Sequence, residues 1–216
     1  MFKLFKSVGL SAYLLGSSLA IPYNTFDGEG FPACHDVSKV YQPNSVAEMV
    51  AIVKSAAGTN TPVRASGKGH MWYDTLCSDD PRTVIIQTER VTGISGFNLA
   101  TGSVVIEAGV TFFQLAEYLH SRDASMGYTL VNWNMTIAGA VAMGAHRSSI
   151  REPSMVAAGV LEIEIIDGSG TIRKIIRDEL SDDWLAASTS LGLLGPIARL
   201  KFKIYPDSKV YAQQKT

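Results

Sequence analysis

The residues whose types and spacing can do chemistry lie in one stretch, Val63-Arg64-Ala65-Ser66-Gly67-Lys68-Gly69-His70-Met71-Trp72-Tyr73-Asp74. A short apolar run enters it, two glycines separated by one residue follow, and a histidine comes next. Glycine lacks the Cβ that blocks positive φ and close approach, so Ser66 to Gly69 can turn sharply. Successive backbone N–H groups in such a turn converge into an anion-binding nest, and phosphate is the obvious anion. His70 stands where the chain leaves the nest, and an imidazole there can act as nucleophile, ligand or acid/base. The plainer alternative is a tight turn with a surface histidine, because short glycine motifs recur by chance.

Two better-known phosphate motifs are excluded. A P-loop needs Gly-x-x-x-x-Gly-Lys-Ser/Thr, whereas Gly69 follows Lys68 and Pro62 holds the first glycine's place. A Rossmann fingerprint needs a third glycine with a helix opening directly behind it, and Met71, Trp72 and Tyr73 follow instead.

A second stretch is small and apolar: Asn134-Met135-Thr136-Ile137-Ala138-Gly139-Ala140-Val141-Ala142-Met143-Gly144-Ala145-His146-Arg147-Ser148-Ser149. Its alanines and glycines would let a flat ligand lie against backbone. A tightly packed core helix has the same pattern, and periodicity alone does not separate the two.

Together these residues resemble the vanillyl-alcohol oxidase and p-cresol methylhydroxylase family of flavoproteins, in particular its aldonolactone-oxidase branch of gulonolactone and arabinonolactone oxidases. Gly67-x-Gly69-His70, Asp74 and Cys77-Ser78-Asp79 are similar to that family's pyrophosphate loop. Thr136, Ile137, Gly139, Gly144, His146 and Ser148 are similar to its second flavin loop. Leu191-Gly192-x-Leu194-Gly195-x-Ile197 looks like the segment that closes the adenine end, and Glu107 to Thr111 like the junction between two lobes. The resemblance covers about residues 40–206.

It implies an α+β, two-lobed PCMH-type FAD-binding domain, with FAD extended between lobes at about 40–100 and 101–206. The implied cofactor-binding residues are Arg64, Ala65, Ser66, Gly67, Lys68, Gly69, His70 and Met71, then Thr136, Gly139, Met143, Gly144, Ala145, His146 and Ile197. In many of these enzymes the histidine after the last glycine is joined covalently to the 8α-carbon of FAD, and His70 occupies that position. Lys68 stands where glycine is usual and is expected to add a cation beside the phosphates. Met143 and Ala145 replace residues that are often threonine, and Arg147, in place of a common glycine, is expected to bring charge to that loop. A branched side chain at Gly67 or Gly139 is expected to fill cofactor space and to penalise a positive φ. The sequon Asn134-Met135-Thr136 is expected to lie in the cofactor cleft and to carry no glycan.

The positioning elements are legible from spacing. Ser45 and Glu48 form a Ser-x-x-Glu capping box before Val46, Met49, Val50 and Val53, with Gly58-Thr59-Asn60 as the stop. A strand at Val63 to Ala65 enters the glycine loop, Thr83 to Thr88 is β-prone, and Gly93 and Gly96 read as turn residues. Ser103 to Glu107 is a strand. Thr111 and Gln114 cap a helix burying Phe112, Leu115, Ala116 and Leu119. Leu161 to Ile166 and Thr171 to Ile176 form a hairpin around Gly168-Ser169-Gly170. Ser181 caps a short helix that Gly192 ends. Ala198 to Ile204 is a strand with Arg199, Lys201 and Lys203 on a solvated face.

The chain has 216 residues, 46% hydrophobic and 18% charged, enough for a substantial core. A net charge of −1 gives no general attraction to nucleic acid or anionic membrane. Lys3 and Lys6, the apolar run from Val8 to Leu15, and Ser18-Leu19-Ala20 read as a signal peptide over 1–20, too short for a membrane span, so the protein is expected to be secreted. Residues 21–39 read as an N-terminal extension and 207–216 as a tail. Cys34 and Cys77 are an even pair in an oxidising compartment, but Cys77 also fits the family tripeptide unpaired, and both readings stand. The scattered His35, His70, His120 and His146 suggest no metal site.

The resembling enzymes oxidise a sugar lactone or sugar alcohol by hydride transfer to flavin, which oxygen reoxidises. Their substrate domain follows the FAD domain, whereas this chain stops at Thr216, so it reads as a cofactor module with no assignable catalytic base. A non-catalytic, flavin-binding or structural secreted protein is the alternative of a different class. An oligosaccharide oxidase of the berberine-bridge branch is a third reading; that branch commonly adds a cysteinyl flavin bond, and no cysteine lies near the second stretch.

Overall fold

The computed structural model describes residues 21–24, 33–70, 76–127, 130–147 and 152–209. The leader expected at 1–20, Met71 to Asp74 of the first stretch, Ser148 of the second, and the chain beyond Lys209 lie outside them.

An antiparallel pair comes first, β1 (Ile21–Asn24) and β2 (Ala33–Val37). Then β3 (Lys39–Tyr41), α1 (Val46–Gly58), β4 (Val63–Ser66) and β5 (Val84–Gln87) build a parallel sheet in the order β3-β5-β4. Parallel strands need crossovers rather than tight turns, and α1 carries the chain from β3 to β4, the two edge strands that flank β5. Ser45 Oγ accepts the Glu48 N–H at 3.2 Å, while Glu48 Oε2 accepts the Asn44 N–H at 2.9 Å, so the capping box closes one residue early on its acidic side. Val46, Met49, Val53 and Ala56 form the buried face.

The second lobe comprises β6 (Ile94–Asn98), β7 (Ser103–Glu107), α2 (Phe112–His120), β8 (Ala124–Ser125), α3 (Ile137–Ala142), a 3₁₀ turn at Val156–Gly159, β9 (Val160–Ile166), β10 (Ile172–Ile176), α4 (Asp182–Ala187), β11 (Ile197–Lys203) and β12 (Tyr205–Pro206). Five strands form an antiparallel sheet in the order β10-β9-β11-β7-β6, and β8 pairs with β12 apart from it. The period of two sorts the side chains. Val104, Ile106, Ile163, Ile165, Leu200 and Phe202 are buried, in one core with Phe112, Leu115 and Leu119 of α2. The alternate residues form a charged outer face: Arg199 Nη1 meets Glu164 Oε2 at 3.0 Å, and Lys174 Nζ meets Glu162 Oε1 at 2.8 Å. Met49, Val53 and Ile86 of the first lobe belong to the same core, so the lobes share it.

Four expectations change. Gly96 lies inside β6, where its φ of +59° and a register shift between Ser95 and Asn98 mark a bulge rather than a chain reversal. The antiparallel sheet therefore takes up the chain at Ile94, ahead of the boundary expected near 101. Helix α4 ends at Ala187, well before Gly192, and Ser181 occupies its N-cap without a side-chain hydrogen bond.

Cys34 and Cys77 are joined in a disulfide across a sequence separation of 43. A small second core of Val37, Leu76 and Ile85 surrounds Cys34. Closing a loop of that length stabilises the fold by about 4 kcal/mol on the chain-entropy account. The bond ties the segment leaving the glycine loop to β2.

Candidate functional site

Strand β4 delivers the glycine loop. It is an edge strand, and its final carbonyl, Ser66 O, accepts both the N–H (2.8 Å) and the Oγ1–H (3.2 Å) of Thr88. The loop thus leaves β4 from a fixed point. Gly69 takes the left-handed conformation, with φ of +72°, which favours glycine. Gly67 does not; a Cβ there would stand 2.2 Å from Thr136 Oγ1 and 2.9 Å from Thr136 Cγ2. The positive φ expected at Gly67 is therefore found at Gly69, and Gly67 is small because the second stretch touches it. Gly139 likewise has no positive φ; a Cβ there would meet Thr136 Oγ1 at 2.8 Å.

Lys68 also departs from expectation. Its Nζ lies 2.8 Å from Glu89 Oε2, and the Gln87 amide donates to the other carboxylate oxygen. Burial pushes the Glu89 carboxyl up, but the Lys68 and Gln87 hydrogen bonds outweigh it and leave its pKa below the ordinary glutamate value. The lysine is a neutralised cation at the rim.

The second stretch is both of the things its composition suggested. Thr136 is the N-cap of α3, its Oγ1 accepting the Gly139 N–H at 3.3 Å. Phe112 N–H donates to Met135 O and Ile137 N–H to Val110 O, at 3.2 and 2.9 Å, which seats α3 against the start of α2. Ile137 and Val141 are fully buried, while Ala138, Gly139, Ala140 and Ala142 line a cleft. Met143, Ala145 and His146 continue that wall. Gly144 does not; its left-handed φ of +66° turns the chain against Thr189. Arg147 is buried and turned inward, its Nη1 3.1 Å from Glu152 Oε2, over Gly159, where a Cβ would collide with its guanidinium. The charge expected from Arg147 is thus not delivered to the cleft.

The two stretches face each other across this one cleft, of about 500 Å³. Arg64, Ala65, Ser66, Gly67, Lys68, Gly69 and His70 line one side, α3 and its exit the other, with Leu191, Gly192, Gly195 and Ile197 completing the wall. Leu76, Thr88, Ala108 and Met135 also line it, without any spacing signal that would have picked them out. Asn134 is exposed and lies outside the lining, so the reason for expecting its sequon to be empty falls away. Its neighbours Met135 and Thr136 turn inward; Asn134 does not.

The cleft's chemistry is one-sided. Its lining is mostly small or apolar, Arg64, Lys68, His70 and His146 are its ionisable groups, and no carboxylate lines it among the described residues. Arg64 Nε is buried without a hydrogen-bond partner. Among the described residues no cluster of three His, Cys, Asp or Glu side chains could hold a metal. A long, flat, anionic ligand suits such a cleft: close backbone approach along α3, a glycine turn at the end of β4, and basic side chains of which Lys68 alone is claimed by an acid, Glu89.

Comparisons with known proteins agree with that shape. A family model described as "FAD binding domain" matches residues 37–175. The chain is 27% identical over 202 residues to a probable L-gulonolactone oxidase 1 of Arabidopsis thaliana, covering 90% of this chain and 34% of that protein. It is 28% identical over 165 residues to a putative D-arabinono-1,4-lactone oxidase of Neurospora crassa (76% and 29% covered). It is 27% identical over 169 residues to an L-gulono-1,4-lactone dehydrogenase of Mycobacterium tuberculosis (78% and 38%). It spans about a third of the length of the curated relatives it matches. Among solved structures, an alkyldihydroxyacetonephosphate synthase superposes with a TM-score of 0.69 at 18% identity, over 77% of this chain and 31% of that one, a likeness of fold.

Proposed function

The chain belongs to the FAD-binding-domain family and FAD is its cofactor, and from that premise we propose that FAD lies in the cleft between the glycine loop and α3, as the cofactor module of a flavin oxidoreductase acting on sugar lactones or sugar alcohols. The observation that carries the reading is convergence: two stretches about 70 residues apart in sequence, each similar to a flavin-binding motif, touch at Gly67 and Thr136 and line one cleft.

When bound, FAD supplies the redox chemistry, accepting hydride from the carbon being oxidised. The chain's own part is binding and orientation. The backbone around Gly69 presents N–H groups to a diphosphate. Gly139 and the alanines of α3 let a ring system lie against backbone. Leu191, Gly192, Gly195 and Ile197 form an apolar surface suited to a base. His70 lines the cleft where the loop ends, and we assign to it the covalent flavin bond that the family resemblance implies. The lactone or sugar-alcohol substrate follows the relatives' names and is part of the same proposal, as is secretion, motivated by the basic-then-apolar start.

Two other readings are weighed by the same features. Both cysteines are consumed by one disulfide, which counts against a cysteinyl flavin bond of the berberine-bridge kind. A purely structural role does not account for a carboxylate-free basic cleft. The test is anaerobic addition of a sugar lactone to the flavin-loaded chain joined to the remaining, substrate-binding part of a relative such as the L-gulono-1,4-lactone dehydrogenase. Bleaching of the visible flavin band is expected. A band unchanged by sugar lactones and sugar alcohols alike would leave a flavin-binding protein without this activity.

A further inference from the structure

We propose that Arg64 is the side-chain anchor for the cofactor's diphosphate, and that Lys68, the cation the loop pattern points to, is not. The inference rests on the reading that FAD occupies the cleft and adds which side chain holds its charge.

Lys68 is already satisfied. Its ammonium sits 2.8 Å from Glu89 Oε2, and Glu89 is held in turn by the Gln87 amide. Both members of the pair keep about a third of their side-chain surface in water, so the lysine's remaining field is screened. Arg64 is the opposite case. It lies on β4 in register with Ile85, a residue that is 0% exposed and belongs to the small core around the disulfide, beside Leu76. Arg64 and Leu76 both line the cleft. The Arg64 Nε is buried with no acceptor, the residue as a whole is partly buried, and none of the ion pairs among the described residues includes it.

Burying one donor of a charged group without a partner is costly. No carboxylate in the cleft wall offsets it. An anionic ligand would. A guanidinium presents a planar fork of donors that matches phosphate oxygens two at a time, whereas an ammonium acts as a point charge. Ser66 and Gly67 follow two and three residues later and line the same cleft, so the guanidinium and the loop belong to one wall of it. Arg64 and the loop therefore form one anion site, with charge from the strand and shape from the turn.

The experiment measures FAD and riboflavin affinity by flavin-fluorescence quenching. It is run in a His70→Ala background, so that binding is read at equilibrium, with far-ultraviolet circular dichroism as the fold control. Arg64→Gln is expected to weaken FAD by about tenfold or more, the scale of one lost charge-assisted hydrogen bond. Riboflavin, which carries no phosphate, should bind it as it binds the parent. Arg64→Lys should fall between, and Lys68→Gln should change FAD affinity by less than about threefold. FAD affinity unchanged in folded Arg64→Gln would overturn the proposal and show that Arg64 awaits some other anion. An equal loss of FAD and riboflavin would overturn it as well, since the effect would not be on phosphate. If the parent bound no FAD at all, the cofactor placement itself would fall, a result distinct from either.

Discussion

Thr136 Oγ1 fills the space that a Cβ on Gly67 would need, at a separation of 2.2 Å. The side chain that caps α3 thereby also sets how closely the glycine loop approaches it. Gly67→Ala must displace a β-branched, buried side chain, and overpacking of that kind costs about 1–3 kcal/mol. Gly67→Ala/Thr136→Ala should recover part of the loss, because the second change removes the colliding atoms. A thermal-unfolding double-mutant cycle measures the coupling; simple additivity would mean the two residues do not touch.

Thr136 has a separable role as a cap. Thr136→Val keeps the shape but loses the acceptor for the Gly139 N–H, and should destabilise by about 1 kcal/mol, while Thr136→Ser should retain most of the stability. Denaturant midpoints of the three proteins decide it; equal midpoints for the wild type and Thr136→Val would refute the capping role.

The Lys68–Glu89 pair predicts an acid limb. The Glu89 pKa is lowered on folding, so its contribution is fully present above the ordinary value of 4.5 and is lost as pH falls through the lower folded value. With both side chains about a third exposed, the contribution is a few tenths of a kcal/mol. Glu89→Gln should therefore flatten the stability profile slightly in that window and leave neutral pH nearly unchanged apart from a small loss. An acid limb identical to that of the wild type would show the pair contributes nothing.

Arg147 and Glu152 make the opposite prediction to a cofactor role for this arginine. Glu152→Ala would leave a guanidinium buried without its carboxylate, at a cost of about 3 kcal/mol or more. Arg147→Met should cost less and should leave flavin content at the wild-type level, because Arg147 faces away from the cleft. Loss of flavin from folded Arg147→Met would contradict that orientation.

His70 can be tested apart from binding. A denaturing gel viewed for flavin fluorescence after acid treatment should show a band for the wild type and none for His70→Ala. A band that survives in His70→Ala excludes this residue, and absence of a band from flavin-loaded wild type excludes the covalent bond.

The strands and helices were largely readable because each has a local cause. Ser45 and Thr111 sit at the N-caps as their neighbours require, and the alternation in β7, β9 and β11 sorts core from surface. What failed depended on distant contacts. Gly96 looks like a turn in isolation, and only its pairing with β7 makes it a bulge. Lys68 and Arg147 look like ligand charges, yet each is claimed by a carboxylate, Glu89 or Glu152, that no loop motif announces. Leu76 lines the cleft beside Cys77, which is tied to Cys34, and two cysteines in a sequence do not reveal that they meet. The convergence of Gly67 on Thr136 was implied by resemblance alone; the residues by themselves left turn or nest, helix or cleft wall, unresolved.

The proposed position of the cofactor is the space between the glycine loop and α3. Ala142 is on α3, lines the cleft and is only partly buried, so Ala142→Phe can fill the cleft while sparing the core. The measurement is the visible absorption spectrum of each protein after FAD loading and removal of unbound cofactor, with far-ultraviolet circular dichroism beside it. Flavin bands in the wild type and their loss from an equally folded Ala142→Phe is the predicted result. Equal bands in both proteins, or none in a folded wild type, would contradict it.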